Sequence, residues 1–446
     1  MEERIVVAKF GGGSHVDKEA IASSSKIKKA AEIILADPSR RYVVVSAPGS
    51  LSEEDFKITD MLYICHSRYA NKENYHEFFD KIQNRYTEIV NGLGINFDLE
   101  SEFHALRRCL ILGKIDATVS RGEYIMAKIF AEYLGWPFVD ATELIYFNND
   151  FTLNKEKTFA AVKDKVGKLD HAVIPGFYGV MPTGSIKTFS RGGSDVTGAI
   201  VARALNATLY EKWTETAKIY SADPSIVEKP ERVRYITYNE MRELSYMGGV
   251  NMLHEDVILL LQDVGIPINV RNMNNLESNG TLITSDIPEN SRKVAACIGG
   301  VRKFKCVKVT KFGLNKLVGI GAKMFNVFSR YNIPFEHCMV GIDNIAAVLK
   351  SPIFDLRRNE ILRELEAAIH PNAVSVEKDL SLIAIIGEGM GTVKGIFAKA
   401  FDALANAEIK VRMLDQGSDN LTLVIGVYDE DYETAIRALY DGLILH

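Results

Sequence analysis

The chain has 446 residues, 47% of them hydrophobic and 25% charged, with a formal net charge of −5 at neutral pH. At about 150 residues per domain this length implies two or three globular domains, and the composition excludes a disordered chain. The acidic balance excludes nucleic acid as the main partner, and no run of about 18 apolar residues is present to span a membrane.

The opening "MEERIVVAKF" is acidic and runs straight into a strand pattern, so no signal peptide is read there and a cytoplasmic location is expected. The five cysteines, Cys65, Cys109, Cys297, Cys306 and Cys338, are scattered without C-x-x-C spacing. They read as reduced thiols, with neither a disulfide framework nor a zinc site.

Continuous apolar runs predict strands buried on both faces at "RIVVAKF" from Arg4, "RYVVVSAP" from Arg41 and "HAVIPGF" from His171. "ATLYEKWT" from Ala207 and "IPINVRN" from Ile266 add two more. Helical periods lie between them. After Gly122, residues Met126, Ile129, Phe130, Tyr133 and Leu134 follow the spacing of one apolar helix face. This alternation predicts an α/β domain with a mostly parallel sheet, whose ligands gather at the carboxyl ends of the strands.

The first strand ends in "KFGGGS". Lys9 is followed there by Gly11, Gly12 and Gly13, whose bare amides can turn toward one anion beside a full positive charge. Phosphate is the natural guest; a flexible turn before a helix is the alternative. The spacing matches neither a P-loop nor a dinucleotide fingerprint. "SRGE" places Arg121 and Glu123 as an acid–base pair at a helix start. In "SRGGSDVTGA", Gly192 and Gly193 permit close backbone approach beside Arg191, and Ser194 or Asp195 is expected to cap the next helix. "WTETAKIYSADP", from Trp213 to Pro224, suits a nucleotide's base and ribose, although alone it passes for an ordinary loop.

From about residue 300 the texture changes and an internal repeat appears. A shift of 76 residues aligns Lys323 with Lys399, Phe325 with Phe401 and Ile333 with Ile409. The same shift lays "GIDN" (Gly341, Asp343, Asn344) over "GSDN" (Gly417, Asp419, Asn420). Duplication accounts for identities at one fixed offset, and each copy reads as a small βαββ unit.

"KFGGGS", "VVVSAP", "SRGE", "SRGGSD" and "WTETAKIYSADP", in this order and followed by two repeats, resemble the aspartokinases across essentially the whole chain. The resemblance implies a three-layer amino-acid-kinase fold with a mostly parallel central sheet over residues 1–295. Two ACT-type βαββ regulatory modules follow, at 301–376 and 377–446, with strand exchange between them open. It further implies ATP with Mg²⁺, L-aspartate as acceptor, a step toward lysine, threonine and methionine, and assembly into a dimer or tetramer.

By the same resemblance Lys9 and the glycines hold the ATP phosphates, and Asp195 sits at the transfer centre. Ser46, Thr59, Glu123, Phe177, Arg191 and Ser194 fall at the aspartate site, and Thr214, Tyr220 and Asp223 in the adenine and ribose region. A product amino acid, lysine foremost, is expected at the repeats near Glu336 and Asp343. Glu336 is matched by Arg412 in the other copy, so it is free to serve one site; Asp343 recurs as Asp419 and equally suits a tight turn.

Four positions depart from the family pattern. Ser190 stands for a glycine, Glu215 for an aspartate and Ser225 for an arginine, and the lysine usual before "VLH" has no counterpart in "YMGGVNMLHED". A non-catalytic amino-acid sensor, and a kinase acting on glutamate or acetylglutamate, are the competing readings.

Overall fold

The computed structural model describes every residue except 1–3, 12–20, 53, 191, 216–218, 249–252, 378, 418–419 and 445–446. The chain forms two compact units. The first comprises 1–219, 233–242 and 251–288; the second comprises 220–232, 243–250 and 289–446.

In the first unit, β1 (Val6–Phe10), β2 (Arg40–Val45), β3 (Ala172–Pro175), β6 (Leu209–Thr214) and β8 (Ile268–Asn272) are the five strands expected from the apolar runs. They lie in the order β3-β2-β1-β6-β8 and all pair in parallel. A hairpin of β4 (Tyr178–Val180) and β5 (Ile186–Thr188) stands apart, while β7 (Tyr235–Ile236) and β9 (Thr281–Ile283) extend the sheet beyond β8.

Strand alternation sends Ala8 and Phe10 to one face, where they join a large core with Val43, Val45 and the helices Ser24–Leu35, Ile58–Ala70, His76–Leu93 and Arg121–Leu134. Lys9 therefore points to the opposite face, where the helix Gly193–Ala204 lies against β1, β2 and β6. Helices thus cover both faces, giving three layers. Successive strands run outward from β1 through β2 to β3, whereas β6 and β8 lie on its other side. The direction of winding reverses between β1 and β6, which is where open parallel sheets bind ligands.

In the second unit, β10 (Cys297–Thr310), β11 (Phe335–Val340), β12 (Asn344–Lys350), β13 (Ala373–Val376), β14 (Leu380–Ile386), β15 (Met413–Gln416) and β16 (Thr422–Tyr428) form one antiparallel sheet. The helices Ile320–Arg330 and Ile396–Asn406 begin and end at the 76-residue offset read from the sequence, each behind a left-handed glycine, Gly319 and Gly395. Each copy carries a further helix beyond the βαββ pattern, Arg358–Ile369 in the first and Tyr432–Leu443 in the second. The copies share β10: residues Cys297–Phe304 pair with β14, and Phe304–Thr310 pair with β12.

No helix among the described residues is long and apolar enough to cross a membrane, and all five cysteines are free.

Candidate active site

A cavity of about 110 Å³ opens at the carboxyl ends of β1, β2 and β3. Seven of the singled-out residues line it: Lys9, Ser46, Thr59, Glu123, Phe177, Ser194 and Asp195. They arrive from several strand ends and helix starts. Ser46 follows β2 and donates its backbone N–H to the Phe10 carbonyl oxygen at 3.1 Å. Thr59 opens the helix Ile58–Ala70, Glu123 lies in the first turn of Arg121–Leu134, and Ser194 and Asp195 lie in the first turn of Gly193–Ala204.

The backbone is shaped to let these groups converge. Gly11 has φ +126°, and a Cβ there would meet Ser46 Cβ at 2.6 Å. Phe177 holds φ +82°, a conformation that non-glycine residues rarely adopt and that clusters at functional sites.

Lys9 is fully buried, an unfavourable position for a charge without partners. Its Nζ stands 2.8 Å from Asp195 Oδ1 and donates to the Gly11 carbonyl oxygen at 2.7 Å. A second ammonium, Lys212 Nζ, donates to Asp195 Oδ2 at 2.8 Å. Burial pushes the Asp195 carboxyl up, but Lys212 and Lys9 outweigh it and hold the group below the usual carboxylate range.

Glu123 shows the opposite balance. Burial pushes its carboxyl up to about 8, against the backbone N–H groups of Ala47 and Glu123 and the charge of Lys9, which pull it down. Its Oε2 is buried and finds no hydrogen bond among the described residues. A buried acid with an idle oxygen beside a cavity is suited to a cationic guest.

Two expectations from the sequence are corrected. Neither Ser194 nor Asp195 caps its helix: the N-cap is Gly192, left-handed at φ +60° and without a side-chain cap, and Asp195 turns to the lysines instead. Arg121 and Glu123 do not pair, because residues two apart on a helix face different ways. Arg121 lies over the Tyr124 ring at 3.9 Å while Glu123 turns to the cavity.

The residues expected at the nucleotide do not line this cavity. Thr214 ends β6, its buried hydroxyl without a partner among the described residues. Tyr220 and Asp223 belong to the second unit, where their segment packs Ala222 and Val227 into the core of the second repeat. Asp223 accepts from Ser225 N–H at 2.8 Å and Ser225 Oγ at 2.7 Å, which fixes the Asp-Pro turn where the arginine is missing. The substituted Glu215 accepts from Lys26 at 3.0 Å. Gly12, Gly13, Arg191, Asp419 and residues 249–252 lie outside the described residues.

In the second unit Glu336 accepts from Tyr246 Oη and pairs with Lys350 at 3.2 Å. Asp343 accepts the N–H of Gly313, 30 residues earlier, at 2.6 Å, so its carboxylate ties the 341–344 turn to the loop after β10.

Sequence reasoning missed Lys57, which lines the cavity, and Lys212. Lys212 carried a signal: the adjacent charges Glu211 and Lys212 inside a doubly buried strand each need a partner. Among the described residues no three His, Cys, Asp or Glu side chains converge as a metal cage.

Residues 4–272 match the amino acid kinase family and residues 383–443 match an ACT domain. The chain is 32% identical to aspartokinase 3 of Bacillus subtilis, covering 97% of both chains. It is 28% identical to the lysine-sensitive aspartokinase 3 of Escherichia coli over 98% of this chain and 99% of that one. The crystal structure of the Clostridium acetobutylicum aspartate kinase superposes with a TM-score of 0.91 at 39% identity, covering 98% of this chain and all of that one.

Proposed function

We propose, from the premise that the chain belongs to the aspartokinases of the amino acid kinase family, that it transfers the γ-phosphoryl group of ATP to the side-chain carboxylate of L-aspartate. It is an aspartate kinase. The products in this reading are ADP and 4-phospho-L-aspartate, on the route to lysine, threonine and methionine.

The observation that carries the reading is the pairing, around one small cavity at the carboxyl ends of the strands, of a buried cation row with a buried acid whose oxygen is idle. The acceptor carboxylate has a pKa near 3.9 in solution and is already ionised at neutral pH, so no general base is needed. Asp195, held ionised by two ammoniums, is poorly suited to take a proton. Its work is to fix Lys9 where negative charge gathers on the transferring phosphoryl group. An aspartate oxygen attacks the γ-phosphorus, the bond to the β,γ-bridging oxygen breaks, and ADP leaves with that electron pair.

Glu123 receives the α-ammonium of aspartate, and Arg191 receives its α-carboxylate. Ser46, Thr59 and Ser194 supply hydroxyls to the remaining acceptor oxygens, and Phe177 closes the side. Magnesium would come with the nucleotide and would supply charge neutralisation at its phosphates, both oxygens of Asp195 being held already by Lys9 and Lys212. Gly11, Gly12 and Gly13 serve the phosphates in this reading, and Thr214, Tyr220 and Asp223 the nucleoside.

The repeats bind an amino-acid effector, lysine foremost, with its ammonium replacing that of Lys350 at Glu336. The lysine-sensitive relative supports that choice. Copies of the chain assemble through the repeats.

Mixing the protein with Mg·ATP and either aspartate or glutamate tests the reaction. ADP release with aspartate alone is expected; release with glutamate alone, or with neither, would overturn the substrate or leave only an amino-acid sensor.

A further inference from the structure

β6 reads Leu-Tyr-Glu-Lys-Trp-Thr and is buried almost throughout, yet it carries two adjacent charges. They point to opposite faces. Glu211 meets Arg40 on one side, while Lys212 shares the face of Tyr210, whose hydroxyl donates to the Asp195 carbonyl oxygen at 3.2 Å.

Parallel register sets Lys9 of β1 directly beside Lys212 of β6. The first turn of Gly193–Ala204 brings the Asp195 carboxylate up to both, one oxygen to each ammonium and each at 2.8 Å. The three side chains are 1%, 4% and 3% exposed for Lys9, Asp195 and Lys212. Two ammoniums thus share one carboxylate, and Lys9 and Asp195, but not Lys212, border the cavity.

We propose that Lys212 is a positioning residue for phosphoryl transfer, occupying one oxygen of Asp195 so that Lys9 presents its charge to the reacting phosphate. Without Lys212, Asp195 and Lys9 neutralise each other, and the carboxylate has a free oxygen with which to draw Lys9 away from the cavity. With it, the row keeps a net charge complementary to a polyanion. The row also supplies, from a neighbouring strand, a second lysine in a chain that lacks the one usual before "VLH".

The inference rests on the phosphoryl-transfer reading, whose own failure would appear in the parent chain as no aspartate-dependent ADP. The test compares Lys212→Met and Lys212→Arg in the full chain. A preorganised charge at a transfer site is worth about 10²–10³ in rate. The kcat of Lys212→Met is expected to fall about 100-fold or more while KM for aspartate stays within about threefold, and Lys212→Arg should recover at least about tenfold of that loss. A merely structural lysine would lower the melting temperature without this split. Retention of kcat within about threefold in Lys212→Met would overturn the proposal.

Should Lys212→Met fail to fold, Lys212→Met/Asp195→Asn removes the opposed charges together and carries the test. Because Lys212 acts through Asp195, the double variant should be no slower than Asp195→Asn alone. A further, independent loss would overturn it.

Discussion

Phe10 and Trp213 stack with ring centroids 6.0 Å apart and planes within 4°, joining β1 to β6 one residue beyond the paired lysines and on the opposite face of the sheet. The indole N–H donates to Glu211 Oε2 at 2.8 Å, and the same carboxylate holds Arg40 at 2.6 Å. The guanidiniums of Arg40 and Arg271 lie over the indole at 5.3 and 4.5 Å. This cluster clamps the two strands whose ends carry the chemistry.

Glu211→Gln should therefore destabilise the first unit. It removes the close countercharge of the buried Arg40 guanidinium and leaves only Asp37, at 3.9 Å; breaking a buried pair costs about 3–5 kcal/mol. Urea unfolding of variant and parent measures the difference. A loss under about 1 kcal/mol, the range of an exposed pair, would show the cluster to be incidental.

Lys9→Met should lower kcat by at least about two orders of magnitude. The melting temperature should change little, because Lys212 still answers Asp195 once Lys9 is gone. Steady-state kinetics beside a thermal scan checks both halves, and retained kcat in the folded variant would remove Lys9 from the transfer step.

Glu123, placed at the aspartate ammonium in the proposed reading, should make aspartate binding depend on pH. Its carboxyl is raised to about 8, so at neutral pH it is mostly protonated, whereas the substrate's ammonium needs it ionised. KM for aspartate should then rise roughly tenfold for each pH unit below about 8 and level off above it. For folding the sign is opposite: a carboxyl raised in the folded state contributes stability below its unfolded value near 4.5, lost as pH climbs to about 8. Aspartate should consequently raise the melting temperature more at pH 8.5 than at pH 6.5, values chosen to bracket that transition. Glu123→Gln should flatten the KM profile; an unchanged profile would assign the pH dependence elsewhere.

Glu336→Gln and Arg191→Ala separate the two ligand sites. The first should weaken lysine inhibition about tenfold with aspartate KM unmoved, the second should raise aspartate KM by about 1.5–3 kcal/mol of lost charge-assisted binding. Titrating lysine and threonine at sub-saturating aspartate decides the effector. Full activity of the parent at saturating lysine would exclude lysine control.

Much of this architecture was legible in the chain. Buried parallel strands announce themselves as apolar runs, and all five expected strands form the central sheet. The cavity residues were legible as motifs, because glycines and charges at strand ends have few structural uses there. The role of Lys212 was not: a charge buried within "LYEKWT" signals the need for a partner, but the partner, Asp195, comes from another element. Nor could the capping roles of Ser194 and Asp195 be judged: either suits a cap until the lysines opposite are known. The placement of Tyr220 and Asp223 with the repeats depends on contacts such as Tyr440 Oη accepting the Glu231 N–H at 2.9 Å, which no local pattern encodes.

The duplicated copies descend from one pattern, yet β10 serves both, pairing with β14 over its first half and β12 over its second. Neither copy has a complete sheet if that strand is withdrawn. They should melt together as one cooperative block, with a single calorimetric transition for the pair. Any chain cut within β10 would strip both at once, so one copy cannot be transplanted alone, and evolution can vary their loops independently but not their frame.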